Sequence, residues 1–250
     1  MSEPIIFYDI PGKRGPWSPN TWIVRYVLNY KGVAYKTEWV EYPDIEALCK
    51  KIGAKPTDKK PDGRDHYTLP VIYDPSTKAA VENSIDIIRY LDKTYPNTPP
   101  LFPKGTHALQ TAFYDAFAST VMLKLFRVVI AQSAQQMNEP SEKYFRATRE
   151  PIFGKLEDVA PPGEVGEQRW KEAEEAFGKL AEWLDANSKA GETGIFVTGE
   201  TFTYADALIA SRLVWARVVL DAEKWARITS WQGGRWEKLL QAVQKYETVV

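Results

Sequence analysis

The segment "YPNTPPLFP", Tyr95 to Pro103, carries four prolines. Each removes a backbone N–H and fixes φ near about −65°, so neither a helix nor a central strand runs through it. Such a segment is a stiff connector. It splits the chain into two parts with different hydrophobic periods, and that split constrains the fold more than any other feature.

Upstream, short β-branched and aromatic runs alternate with helical ones. "IIFYDI" (Ile5 to Ile10) reads as a buried strand. "SPNTWIVRYVLNYKG" reads as a helix with Ser18 as N-cap, Pro19 at the first helical position and Gly32 as the stop. Its apolar spacing runs through Trp22, Val24, Val27 and Leu28. "YKTEWV" alternates as a second strand. "PDIEALCKK" opens a short helix at Asp44, with Cys49 as a packed small hydrophobe. "IGAKPTDKKPDGRDHYTLP" is polar and rich in Gly and Pro, and is expected to be an irregular loop. "LPVIYDP" and "KAAVEN" form a hairpin across "PST". "NSIDIIRYLDKTYP" is a helix capped by Asn83 or Ser84, with Ile85, Ile88, Leu91 and Tyr95 on its apolar stripe.

Downstream the spacing is helical throughout. The long run from Thr106 turns Leu109, Ala112, Phe113, Ala116 and Phe117 inward. "SEKYFRATRE" continues until Pro151, and "QRWKEAEEAFGKLAEWLDAN" puts Trp170, Ala173, Phe177, Leu180 and Leu184 on one stripe. "TYADALIASRLVWARVVL" and "RWEKLLQAVQKYE" complete the helical half. The expected fold class is α/β plus all-α: residues 1–95 a mixed domain, 96–103 the connector, 104–250 an all-helical domain.

Composition excludes several functions. A net charge of −1 gives no electrostatic reason to bind nucleic acid or an anionic membrane. There is no run of about 18 apolar residues for a membrane span, and "MSEPIIFYDI" lacks the basic-then-apolar order of a secretory signal. A single cysteine rules out an internal disulfide framework and points to a reducing cytoplasm. Two isolated histidines, His66 and His107, suggest no metal site. The 9 Trp, 13 Tyr and 10 Phe either fill a core or wall a pocket for a flat hydrophobic ligand.

Four motifs follow one another in order. "WSPNTW" opens the first helix, and "TLPVI" places Pro70 at the start of a strand. "ENSIDIIRYLD" turns a strand into a helix, and in "FVTGETFTYADALIAS" Thr203 and Asp206 form an acidic capping box. With the proline-rich connector, this ordered set resembles the cytosolic glutathione transferase family over nearly the whole chain. The "SPNTW…YKG" pattern is most similar to the serine-type, etherase-related fungal branch that includes the FuA class.

The resemblance implies a thioredoxin-like domain followed by an all-helical one, with glutathione as co-substrate. Ser18 becomes the residue that steadies the glutathione thiolate at a helix N-terminus, not a nucleophile itself. Leu69, before a cis-Pro70, is expected to pair its backbone with the cysteinyl unit, and Ser84 to bind the γ-glutamyl carboxylate. Glu82 or Asn83 meets the γ-glutamyl amine. Lys55, Lys59, Lys60 and Arg64 are candidates for the glycyl carboxylate. Asn20 and Trp17 are expected beside the thiol, with Tyr114, Phe117, Met122 and Phe126 lining the place of a hydrophobic or phenolic second ligand. The family also implies a cytoplasmic homodimer, with detoxification or aryl-ether cleavage as chemistry and a non-catalytic carrier of phenolics as the alternative.

Overall fold

The computed structural model describes residues 3–191 and 193–250. Strand β1 (Ile5–Asp9) leads through a loop into helix α1 (Pro19–Lys31), and β2 (Tyr35–Trp39) returns parallel to β1. A turn of 3-10 helix at Tyr42–Asp44 runs into α2 (Ile45–Ile52), so Asp44 begins that helix without a side-chain cap bond. The expected irregular loop contains a two-stranded ladder, β3 (Asp58–Lys59) against β4 (Asp65–His66). Strand pairs this short carry no hydrophobic alternation, which is why the sequence hides them. Then come the β5 (Val71–Asp74) and β6 (Ala79–Glu82) hairpin and α3 (Ser84–Thr94). The sheet order is β2-β1-β5-β6.

Register gathers the loops at one end of this sheet. Tyr8 lies opposite Val71, and Val71 opposite Glu82. The exit of β1, the entry to β5 and the exit of β6 therefore share an edge, and β2 leaves toward Tyr42 on the same side because Asp9 faces Trp39. Helix α1 is fixed to the sheet by an ion pair buried on both sides, Arg25 to Asp9 at 2.7 Å. Burial pushes the Asp9 carboxyl above its usual range, with Arg25 pulling the other way. Arg25 also lies over the Phe7 ring at 5.0 Å.

The proline-rich segment is pinned rather than free. The Asp92 carboxylate accepts from the Leu101 and Phe102 N–H groups, each at 3.0 Å, and Lys31 donates to Pro99 O at 3.1 Å. Helices α4 (His107–Phe117) and α5 (Leu123–Gln136) follow, joined without a break by a wider π turn at Ala118–Met122. Within α4 the buried residues are Gln110 and Phe117, so the expected stripe is offset from its start. Phe117 is 0% exposed, whereas Leu109, expected inside, is 70% exposed.

Helix α6 (Glu139–Phe153) contains Pro151 in its last turn instead of stopping before it. That late in a helix, proline forfeits little more than one backbone bond. Helices α7 (Glu164–Lys189) and α8 (Tyr204–Val219) bury the stripes their sequences display. A helix not anticipated from the sequence, α9 (Ala222–Ser230), is capped by Asp221, whose side chain accepts from the Lys224 N–H at 2.9 Å. Helix α10 (Arg235–Val243) completes the chain's regular structure. Among the described residues, no helix is long and apolar enough to cross a membrane.

Candidate functional site

Two helix N-termini carry the hydroxyl signals singled out in the sequence. At α1, Ser18 has the extended backbone of an N-cap, yet its side chain makes no capping bond. Only its carbonyl is used, accepting from the Trp22 N–H and the Thr21 hydroxyl, both at 3.0 Å. Pro19 supplies no N–H, and the Asn20 and Thr21 N–H groups meet no acceptor among the described residues. The first turn of α1 is therefore an open set of donors with the partial positive charge of a helix start. Ser18 is 4% exposed and faces a cavity of about 330 Å³.

That cavity lies between α1 and helices α5, α6 and α8. Its aromatic wall is Trp17, Tyr42, Phe126, Phe145, Phe153 and Trp215, with Pro19, Met122 and Leu123 as apolar fill. The polar atoms come from Ser18, Asn20, Arg149 and Arg212. Arg212 is 3% exposed and reaches from α8 to the open turn of α1. It donates to Asn20 Oδ1 at 3.0 Å, to Pro19 O at 3.3 Å and to Ser211 Oγ at 2.9 Å. Burial pulls its pKa down to about 10, still well above neutrality.

Of the residues expected at the site, the cavity brings together Trp17, Ser18, Asn20, Met122 and Phe126. Tyr114 and Phe117 are not in its wall: Phe117 points into the helical core, stacked near Phe113. Leu69 and Pro70, joined by a cis peptide, sit at the entry to β5. Glu82, Asn83 and Ser84 sit at the adjoining exit of β6, on the same edge of the sheet as the loop to Ser18. Neither Asn83 nor Ser84 caps α3 through its side chain. Asn83 holds a φ of 67°, and Ser84 is the first helical residue.

The basic loop residues are largely spoken for. Lys59 pairs with Asp65 at 2.5 Å, Lys60 with Glu46 at 3.1 Å and Arg64 with Asp62 at 2.6 Å. Tyr42, Phe145, Arg149, Phe153, Arg212 and Trp215, not singled out from the sequence, reach the cavity through tertiary packing. Among the described residues, no group of three or more His, Cys, Asp and Glu side chains stands together as a metal site.

Similar proteins share this architecture. Residues 17–94 match the family described as glutathione S-transferase, N-terminal domain, and residues 108–246 the corresponding C-terminal domain. A glutathione S-transferase-like protein, ustS, of Aspergillus flavus is 32% identical over 96% of this chain and 90% of its own. The crystal structure of glutathione transferase GSTFuA3 from Phanerochaete chrysosporium superposes with a TM-score of 0.94 at 47% identity, covering 100% of both chains. That of CsGST63524 from Ceriporiopsis subvermispora, solved in complex with glutathione, superposes with a TM-score of 0.94 at 45% identity, covering 99% of each.

Proposed function

The chain belongs to the glutathione transferase family, and on that premise we propose that it is a serine-type enzyme that joins glutathione to hydrophobic, aromatic electrophiles. The observation that carries this reading is the Ser18 hydroxyl, left out of any capping bond at an open helix start and facing an aromatic cavity.

A free thiol with a pKa of roughly 8.5 is only about 3% thiolate at pH 7. The unpaired Asn20 and Thr21 N–H groups and the Ser18 hydroxyl favour the anion over the neutral thiol. A shift of about two pKa units corresponds to roughly 2.7 kcal/mol and makes thiolate the main species. The thiol proton leaves to solvent when glutathione binds. The thiolate then attacks the electrophilic carbon, a C–S bond forms, and the leaving group departs with the electron pair of its own bond. An aryl ether is one such electrophile, with the aryloxide or alkoxide leaving.

The rest of the tripeptide is assigned to the shared sheet edge. Backbone groups of Leu69, before Pro70, extend the sheet to the cysteinyl unit in the manner of an added strand. Ser84 takes the γ-glutamyl carboxylate at the start of α3, with Glu82 or Asn83 near the amine. The protein is proposed to act as a cytoplasmic homodimer, which light scattering of the purified chain tests directly.

Ultraviolet difference titration of bound glutathione between pH 5 and 9 tests the catalytic reading. The expected result is an apparent thiol pKa near 6.5 that rises by about two units in Ser18→Ala. The aromatic wall of the cavity also suits a carrier of phenolics. Tight glutathione binding with an unshifted thiol pKa would favour that carrier over the enzyme.

A further inference from the structure

The cavity beside Ser18 is aromatic and apolar over most of its wall, yet its two charged side chains, Arg149 and Arg212, are both cations. Among the described residues no acidic side chain lines it. The recorded hydrogen bonds of Arg212 go to neutral oxygens, those of Pro19, Asn20 and Ser211, and that of Arg149 goes to the Thr148 hydroxyl at 2.5 Å. Among the described residues neither guanidinium pairs with a carboxylate.

A buried cation without an anion is expensive, because water has been removed and nothing replaces its charge. The cost is offset when an anion enters, and low polarity strengthens that contact. Arg212 also retains donors: a guanidinium has five N–H groups, and three bonds account for it here. The Arg149 Cζ lies over two rings, 4.6 Å from the centre of Phe145 and 5.6 Å from that of Tyr42. Seated against those rings, its guanidinium keeps N–H groups for two-point recognition of a carboxylate. It stands where this cavity meets a second one, lined also by Lys60 and His66.

We infer that the second ligand of this cavity is an aromatic carboxylate, its ring held by the aromatic wall and its anion received by Arg212 and Arg149. This names the electrophile class within the proposed activity and rests on that reading for turnover; binding itself does not require glutathione. A purely mechanical role for Arg212, fastening α8 to α1, explains its three bonds but predicts no selectivity for charge.

The first arm measures binding without glutathione. Naphthalene-2-carboxylate and naphthalene-2-carboxamide are titrated against the whole protein by quenching of tryptophan fluorescence, since Trp17 and Trp215 are in the wall. The carboxylate is expected to bind at least about tenfold tighter than the amide. That ratio should fall toward one in Arg212→Gln, fall in part in Arg149→Gln, and recover in part in Arg212→Lys. Arg149 lies nearer the surface, so its variant decides the question even if Arg212→Gln does not fold. Equal affinities in the wild type, a ratio that survives both glutamine variants, or displacement of the carboxylate by saturating glutathione would each overturn the inference.

The second arm measures glutathione-dependent release of chloride from 4-chloro-3-nitrobenzoate and its carboxamide. A C–S bond forms as the C–Cl bond breaks. A kcat/KM preference for the benzoate that disappears in the arginine variants supports the inference. A parallel fall for both compounds, with a raised thiol pKa, would assign the arginines to the thiolate and overturn it. Turnover of neither compound, with the naphthalene preference intact, would refute the catalytic reading and leave the anion site standing.

Discussion

Helices α1 and α8 both start at a hydroxyl residue, and the two starts are built in opposite ways. At α8 every donor of the first turn is consumed. The Tyr204 N–H goes to Leu101 O at 3.0 Å, that of Ala205 to Gln110 Oε1 at 2.9 Å and that of Asp206 to Thr203 O at 3.1 Å. The Asp206 carboxylate takes three more, from the Thr203 N–H and hydroxyl at 2.8 Å each and from the Val197 N–H at 2.7 Å. At α1 the hydroxyl and the first-turn N–H groups are unspent. A closed start stabilises the fold, and an open one keeps its field for something that arrives from outside. Arg212, carried by the closed helix, grips the open one.

The contrast is sharpest in Ser18→Ala. No capping bond is lost, so the melting temperature is expected to stay within about 2 °C, whereas kcat/KM at pH 7 falls by about 25-fold, as the thiolate share drops from about three-quarters to about 3%. A variant that melts early while keeping its turnover would break the comparison. Asp206→Ala should do the reverse. It orphans two N–H groups and one hydroxyl in the core, a cost of about 3 kcal/mol, or roughly 6–12 °C in a chain of this size. Denaturant unfolding reads it directly. Thr203→Ala removes one member of the same box and should cost about 1 kcal/mol, and a loss as large as that of Asp206→Ala would show that the box acts only as a unit.

The finest distinction uses pH. Burial pushes the Asp206 carboxyl up to about 6, against the pull of its hydrogen bonds. Between the ordinary carboxylate value near about 4 and that raised value, the folded state holds more protons than the unfolded one. The contribution of this group to stability is therefore fully present below that window, declines as pH rises through it, and is level above it. The stability of the wild type relative to Asp206→Asn, followed by urea unfolding from pH 4 to 7.5, should fall through the window. A difference independent of pH would mean that hydrogen bonds, not burial, set that carboxyl.

Much of this was legible because it is local. The connector announced itself through proline, α1 through Ser18, Pro19 and Gly32, and the α8 start through Thr203 and Asp206. The state of the Ser18 hydroxyl was not legible, since the same letters spell an open and a closed cap. Leu109 was misplaced because α4 buries the polar Gln110, which accepts from the Ala205 N–H, and a count of apolar residues cannot show that. Arg212 was the missed signal that could have been found: a charge inside "ALIASRLVW", where every neighbour is small or apolar, demands a partner. The α6 residues Phe145, Arg149 and Phe153 reach the cavity only by tertiary packing, and no pattern within their own helix says so.

The π turn at Ala118–Met122 separates two jobs along one continuous helical rod. Before it Phe117 faces the core, and from its last residue onward Met122, Leu123 and Phe126 line the cavity. Each residue advances a helix by about 100°. Removing a single residue from that turn would therefore rotate all of α5, carrying the buried Leu125, Val129 and Ile130 out of the core together with Phe126. In evolutionary terms the length of that turn is locked: a one-codon insertion or deletion that exchanged the wall of the binding cavity would unseat the core face of the same helix.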